Sequence, residues 1–169
     1  TIGRDANRIK NGKFKINNKD FVLNKNNGPN HLHGGNIGYN DVVWQANQLN
    51  KQTIEFKYLS KNMEEGYPGN LNVKVIYHLS DQNELKIEYF ANTDKTTYVN
   101  ITHHSFFNLL GAGNGDINNH LLYINAESFT PIDSELIPTG KIELVKGTPF
   151  DFNTSTKIGK RLNDNNEQL

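Results

Sequence analysis

Histidines in two short segments are the residues of this sequence best suited to acid–base chemistry. His31 and His33 lie in the turn-rich segment 29–35, and His103 and His104 are adjacent in the segment 98–108. An unperturbed histidine has a pKa of about 6.5, so its imidazole can donate and recover a proton near neutral pH. From spacing alone, general acid–base chemistry and ordinary hydrogen-bonded histidines both remain open as interpretations.

A zinc site formed by His31, His33 and His104 is a third interpretation, which the sequence disfavours. No further ligand has a convincing spacing and no acidic residue falls in a recognised metal motif. The chain has no cysteine, which also excludes thiolate ligands and a thiol nucleophile. We therefore expect no metal ion at these histidines.

Side-chain alternation separates the two adjacent histidines. Successive residues of a strand point to opposite faces, and we expect a strand that ends at His104. His103 then shares a face with Ile101, whereas His104 continues a polar face that includes Asn100 and Thr102. This polar face is a candidate floor for a cleft.

Other polar and aromatic residues have both functional and structural interpretations. Arg4 and Arg8 could hold vicinal hydroxyls or an anionic group, or each could be exposed or ion-paired within the chain. Trp44 could stack on a sugar or pack in the core. For Glu64 and Glu65 we expect solvated charges in a loop.

The composition excludes several classes of partner. Lys plus Arg and Asp plus Glu both number 18, which gives a formal net charge of zero. Nucleic acids and anionic membranes usually bind proteins with a basic excess, so neither is expected as a partner. The apolar stretches are only a few residues long, which excludes a membrane-spanning helix.

The elements that would position these residues are strands, because the hydrophobic period is two. Apolar residues alternate along 71–79 and 85–91, which predicts a hairpin with one buried face and a turn at 80–83. A second hairpin is predicted around 17–20, and further strands at 54–59 and 142–145. We predict an all-β, antiparallel sandwich and a single domain over residues 1–169.

Nine segments of the chain carry a recognisable succession of motifs. They are GRDANRI at 3–9, NNGPNHLHGG at 26–35, EEGYPGNL at 64–71, TDKTT at 93–97, VNITHHSFFNL at 99–109, GDI at 115–117, TPID at 130–133, LIPTG at 136–140 and GTPFDF at 147–152. In this order and spacing they resemble the galactose mutarotase (aldose 1-epimerase) family. The resemblance implies part of that family's supersandwich of antiparallel sheets.

The family interconverts the α and β anomers of free hexoses such as galactose and glucose without a cofactor or metal. The resemblance makes His104 the general acid and places His33 near the ring oxygen and anomeric centre. Asn7 and Arg8 are expected to bind sugar hydroxyls, and Ser105 and Phe106 to add contacts beside the acid. His103, where the family more often has Asn, and Phe106, where it often has Tyr, depart from the pattern.

The family's catalytic base, a Glu, and a substrate-binding Asp have no match in this chain. Both are expected beyond Leu169, and the family's first strands before Thr1. Residues 1–169 would then be an incomplete domain that is inactive alone and whose partners are a sugar and the remainder of its own chain. A cytoplasmic location is expected, with a secreted or periplasmic one left open.

Two alternatives within the same superfamily are a non-catalytic carbohydrate-binding module and an epimerase of a phosphorylated hexose. A phosphate site needs additional cationic residues, and the chain contains only three arginines, Arg4, Arg8 and Arg161. A plain β-sandwich interaction domain is the remaining rival. It predicts that Asn7, Arg8, His33 and His104 do not converge.

Overall fold

The computed structural model describes residues 1–166 and 168–169. Its regular secondary structure is twelve β-strands and three short 3-10 turns. The strands are β1 Arg8–Ile9, β2 Lys13–Ile16, β3 Lys19–Val22, β4 His31–Leu32, β5 Gln45–Asn50, β6 Thr53–Ser60, β7 Leu71–Leu79, β8 Leu85–Thr93, β9 Leu121–Leu122, β10 Ser128–Phe129, β11 Glu143–Leu144 and β12 Thr156–Lys157. All strand pairs are antiparallel, which confirms the predicted all-β class.

The chain forms two compact units, Thr1–His104 and Ser105–Leu169. The first contains β1 to β8 and the second contains β9 to β12. No helix in the described part of the chain is long and apolar enough to cross a membrane.

The largest sheet of the first unit has four strands in the order β5-β6-β7-β8. The predicted hairpin of β7 and β8 is confirmed, with Leu79 paired to Leu85 next to the turn. Leu71, Val73 and Val75 are buried, while Leu79 on the same face is 55% exposed. The alternation therefore predicts the buried face correctly, but burial weakens towards the turn.

The second predicted hairpin is confirmed with a tighter turn than expected. β2 and β3 pair from Lys13 and Val22 to Ile16 and Lys19, so the turn consists of the two residues 17–18. Both are asparagines with positive φ, 48° and 62°. Asparagine tolerates this conformation, and two-residue turns with positive φ match the right-handed twist of the strands.

β5 is a strand that the hydrophobic pattern does not predict. Its sequence QANQLN has no β-branched or aromatic residue, and all six residues are exposed. It forms an edge of the sheet and is held by backbone pairing with β6. Because neither face of β5 is buried, its sequence carries no period of two.

The core of this unit forms where the sheet packs against Tyr39 and Trp44. Tyr39 is buried with Leu71, Val73 and Val75, and Trp44 packs against this cluster. The Trp44 indole N–H donates to the Tyr39 carbonyl at 2.9 Å. Of the two interpretations of Trp44, stacking on a sugar and packing in the core, the structure supports packing in the core.

The prediction of a regular strand that ends at His104 is wrong. Only isolated bridges occur there, from Ile2 to Thr102 and from Asp5 to Asn100. Backbone hydrogen bonds nevertheless hold the segment, including Ile2 N–H to Thr102 O at 2.8 Å and Ala6 N–H to Asn100 O at 2.7 Å. The segment leading to His104 thus lies against residues 2–6.

The second unit contains two short strand pairs, β9 with β12 and β10 with β11. The strand predicted at 142–145 is only the two residues Glu143–Leu144. Ile142 and Leu144 are 76% and 68% exposed, whereas Val145, just after the short strand, is 3% exposed, so it is the buried apolar residue of this segment.

Candidate active site

Pairing of β1 with β4 brings two polar segments together. Arg8 pairs with Leu32 and Ile9 with His31, so the chain positions just outside these pairs, Asn7 and His33, are also neighbours. The His33 amide N–H donates to the Asn7 carbonyl at 3.0 Å, which extends the pairing by one bond. Two motifs that are distant in the sequence therefore form one surface.

A backbone amide fixes the proton arrangement of His33. The Asn7 N–H donates to Nδ1 of His33 at 3.1 Å, so Nδ1 acts as an acceptor. A neutral imidazole with an accepting Nδ1 carries its proton on Nε2. His33 is therefore held as a neutral ring with an N–H donor on its outer nitrogen.

The surroundings of His33 also favour the neutral form. Burial lowers the pKa of His33 below its usual value, and the nearby His104 and Arg8 lower it further. Burial removes water from a cation, and a second positive charge repels it. All three effects oppose protonation of His33.

His104 lies beside His33. The two ring centroids are 5.2 Å apart and the rings meet edge to face at 79°. His104 is exposed, whereas Nδ1 of its neighbour His103 is buried. The two adjacent histidines thus have different surroundings, as side-chain alternation predicts.

Arg8 lies on the same surface and is oriented by two asparagines. Its Nε donates to Oδ1 of Asn27 at 3.0 Å, and its Nη1 donates to Oδ1 of Asn7 at 3.2 Å. Arg8 is half-buried and Asn7 is exposed. Asn7, Arg8, His33 and His104 therefore converge, which contradicts the plain interaction-domain alternative.

The loop that carries His33 is held from both ends. Asn26 bonds the backbone of Leu32 and Gly35, on either side of His33. Glu65 accepts the amide N–H groups of Asn36 and Ile37 at 3.0 and 3.1 Å. The loop is thus fixed by one side chain of its own segment, Asn26, and by one distant side chain, Glu65.

The expectation of solvated charges at Glu64 and Glu65 is wrong. Both are half-buried. Glu64 accepts hydrogen bonds from the Tyr58 hydroxyl at 2.8 Å and from the Ser60 hydroxyl at 2.7 Å. Glu65 binds the two loop amides described above. The sequence does not reveal these partners because they are loop and strand residues brought near by the tertiary fold.

Gly34 allows the closest approach in the site. A Cβ at this residue would lie 1.8 Å from the Gly3 carbonyl oxygen, and its φ is +88°. Any other residue would push the His33 loop away from the N-terminal segment. The glycine is required by both space and backbone conformation.

Arg4 is not part of this surface. It is 2% exposed, and its guanidinium donates to the Ser60 hydroxyl and to the carbonyls of Pro68 and Gly69. An ion pair within the chain is one arrangement expected for Arg4 from the sequence. Its acceptors are instead carbonyl and hydroxyl oxygens. Arg4 therefore ties the N-terminal segment to the loop after β6 and is unavailable to a ligand.

His31 is also structural. It is fully buried, its Nδ1 donates to the Asn24 carbonyl and its Nε2 accepts from the Tyr67 hydroxyl, both at 2.7 Å. Burial lowers its pKa, so the ring is neutral. Because both nitrogens of His31 are engaged, the predicted alternative of zinc bound by His31, His33 and His104 lacks a ligand.

Ser105 and Phe106 lie at the start of the second unit. Both are exposed, Phe106 to 91%. Their assignment to sugar binding stays a prediction.

Among residues 1–166 and 168–169, no group of three or more His, Asp or Glu side chains is arranged to hold a metal ion.

Asn26 and Asn27 were missed as site residues by sequence reasoning. Asparagine is abundant throughout the loops of this chain, where its ordinary role is to cap turns. The only sequence signal was their place in the segment that also contains His33.

Comparison with known proteins gives consistent matches over the whole chain. A profile of the family described as aldose 1-epimerase matches residues 1–168. The chain is 46% identical over 163 residues to galactose mutarotase of Bos taurus, covering 96% of this chain and 47% of that protein. It is 37% identical to aldose 1-epimerase of Escherichia coli, covering 99% of this chain and 48% of that protein.

Solved structures show the same fold. A GalM/aldose epimerase homologue from C. elegans matches with a TM-score of 0.90 and 32% identity, over 96% of this chain and 50% of that one. Galactose 1-epimerase from Lactobacillus acidophilus matches with a TM-score of 0.88 and 33% identity, over 99% and 50%. These matches confirm the galactose mutarotase-like fold. The chain spans about half the length of the relatives it matches.

Proposed function

This chain belongs to the aldose 1-epimerase family, and on that premise we propose that it carries the proton-donating side of a site that interconverts the anomers of a free hexose. The observation that carries the proposal is the convergence of His33, His104, Asn7 and Arg8 on one surface. The substrate class is an uncharged aldose such as galactose or glucose.

The chemistry requires two coupled proton transfers. One proton is delivered to the ring oxygen while another is removed from the anomeric hydroxyl. The bond from C1 to the ring oxygen then breaks, its electron pair goes to that oxygen, and C1 becomes an aldehyde carbon. Rotation about C1–C2 and reversal of the steps close the ring with the other anomeric configuration. Each positioned proton transfer contributes about 10² to 10⁴ in rate.

The histidine pair supports a division of roles. Burial, His104 and Arg8 together lower the proton affinity of His33. His33 is the ring held neutral, because Asn7 N–H donates to its Nδ1. His104 is then the partner that delivers the proton to the ring oxygen, and His33 offers its Nε2–H as a hydrogen-bond donor.

Asn7 and Arg8 provide polar groups for the sugar hydroxyls. Arg8 is already oriented by two amide oxygens, so binding does not have to order a flexible guanidinium. Its fixed fork of donors is suited to two adjacent hydroxyl oxygens.

A phosphorylated hexose is a poorer substrate for this surface. A phosphate dianion requires several cationic donors. Arg4 is buried against backbone carbonyls, and Arg161 donates to the Asp151 carbonyl. Of the two arginines in the first unit, Arg8 is the one that lies on the site surface.

Polarimetry of freshly dissolved α-D-galactose tests the proposal. The assay uses a protein of the family's full length that contains these 169 residues, called the full-length protein below. We expect rapid mutarotation, and a decrease in kcat of about 10² to 10⁴ for His104→Ala, because proton delivery is lost. His103→Ala is the matched control and should retain most of the activity.

Equal losses for the His103 and His104 variants would contradict the assignment of the acid. Absence of mutarotation in the unaltered full-length protein would contradict the proposed function itself. Assay of residues 1–169 alone tests the further expectation that the base comes from outside this chain.

A further inference from the structure

We propose that Asn26 is a positioning residue that sets the place and the proton arrangement of His33. The proposal rests on the function proposed above, and it adds a residue that acts through His33. Its neighbour Asn27 contacts Arg8 and provides a matched control in the same loop.

The side chain of Asn26 closes the turn that contains His33. Its Nδ2 donates to the carbonyl oxygens of Leu32 at 2.9 Å and Gly35 at 2.8 Å. Its Oδ1 accepts the Leu32 N–H at 2.7 Å. One amide therefore makes three hydrogen bonds to the residues that flank His33 and Gly34.

The backbone of His33 needs such a restraint. Its φ is +53°, in the left-handed region that residues with a side chain rarely adopt. A conformation of this kind persists only when surrounding contacts enforce it. Without the bonds from Asn26, the turn can relax towards negative φ, which rotates the His33 ring away from its present place.

The ring of His33 has two neighbours that depend on this conformation. Nδ1 accepts from the Asn7 N–H at 3.1 Å, and the ring edge meets His104 at 5.2 Å between centroids. Rotation of the backbone breaks the first contact and changes the second. Loss of the amide donor frees Nδ1 to carry a proton, so both tautomers become populated. Rotation of the ring into solvent and away from His104 and Arg8 weakens the causes that lower the pKa of His33, which then rises towards its usual value.

Asn26 can be removed without exposing a buried polar group to an apolar environment. Its side chain is exposed, so water can replace it at the Leu32 and Gly35 backbone. We therefore expect the variant to fold, with the effect confined to the loop. This property makes the substitution a test of position rather than of folding.

The experiment compares Asn26→Ala, Asn26→Asp and Asn27→Ala in the full-length protein. We expect Asn26→Ala to lower kcat for galactose mutarotation by about 10- to 100-fold with little change in KM, because a displaced catalytic ring disturbs the reacting geometry. Asn27→Ala should raise KM by about 3- to 10-fold with kcat near that of the unaltered protein, because it loosens Arg8. Asn26→Asp keeps the acceptor for the Leu32 N–H but sets a carboxylate oxygen against the Leu32 and Gly35 carbonyl oxygens, so its kcat should fall at least as far as that of Asn26→Ala.

Nitrogen-15 NMR of the imidazoles provides a readout that does not depend on activity. The unaltered protein and Asn27→Ala should show His33 as the Nε2–H tautomer with a lowered pKa, His33→Gln serving to assign the signals. Asn26→Ala should show averaged tautomers and a higher His33 pKa. Thermal unfolding followed by circular dichroism confirms that each variant is folded.

The inference is overturned if Asn26→Ala leaves the tautomer, the pKa of His33 and kcat unchanged. It is also overturned if Asn27→Ala alters the His33 signals as strongly as Asn26→Ala does. A changed His33 tautomer in a full-length protein that has no mutarotase activity would support the positioning role and reject the proposed function. The two failures are thus distinguishable.

Discussion

Two polar regions of the first unit consist of the same residue types from the same two segments, but one region is buried and the other lies on the surface. Arg4 and His31 are buried, and their donors and acceptors are used by the protein itself. Arg8 and His33, four and two residues further along, lie on the surface with His104. Residue type alone therefore does not distinguish a buried group from one on the surface of the candidate site.

The difference lies in where the hydrogen-bond partners are. The buried region is satisfied by backbone carbonyls and by the Ser60 and Tyr67 hydroxyls. In the surface region, the internal hydrogen bonds of Arg8 and His33 come from asparagines and orient the groups without enclosing them. Substitutions in the two regions should therefore affect different properties, stability in the first and catalysis or binding in the second.

The largest difference in unfolding free energy is expected between variants of Arg4 and Arg8. Arg4→Met leaves the carbonyls of Pro68 and Gly69 buried without their donor, so unfolding free energy should decrease by about 3 to 5 kcal/mol. Arg8→Met should cost less than about 1 kcal/mol, because Arg8 is partly exposed, but it should raise KM. Urea unfolding of the full-length protein measures the first effect and steady-state polarimetry the second. Similar unfolding midpoints for the two variants would remove the distinction.

His31 and His33 should show the same contrast, with a smaller change in unfolding free energy. His31→Ala removes the partners of the Tyr67 hydroxyl and the Asn24 carbonyl and leaves a cavity, so we expect a loss of about 2 to 3 kcal/mol. His33→Ala should change stability by less than about 0.5 kcal/mol while it lowers kcat. Thermal unfolding and polarimetry on the same samples make the comparison. A destabilising His33→Ala with full activity would reverse the two assignments.

A smaller effect on stability is expected at Asp5, which follows Arg4 in the chain. Burial raises the pKa of Asp5 from 3.8 to about 6, with an opposing hydrogen bond from Asn100. The folded protein then binds this proton more tightly than the unfolded chain does, so the Asp5 contribution to stability falls as pH rises from about 4 to about 6. Above this window the ionised carboxylate remains a constant cost.

Asp5→Asn removes this cost. At pH 7 the variant should be more stable by about 1 kcal/mol, after allowance for solvent screening of a partly exposed carboxyl. Unfolding midpoints measured from pH 4 to pH 7 should show that the gain disappears at the acidic end. A gain that is constant across this range would mean that Asp5 ionisation does not contribute.

Much of the fold is predictable from the sequence because its determinants are local. The alternation of Leu71, Val73 and Val75 identifies a strand and its buried face, and the polar residues 17–20 identify a turn, which the structure narrows to 17–18. β5 is the counter-example, since its strand is imposed by pairing with β6 and not by its own residues. The same holds for the segment that leads to His104, which bonds with residues 2–6 instead of forming the predicted strand.

The sequence by itself determined the fold class, the family and the set of residue types able to transfer protons. It also separated His103 from His104, because alternation is a local property of extended chain. Only the tertiary structure decided which of Arg4 and Arg8, and which of His31 and His33, is open to a ligand. Apart from Asn24, which is seven residues from His31, the partners that bury Arg4 and His31 are 36 to 93 residues away along the chain, and a sequence pattern does not encode which distant groups will meet.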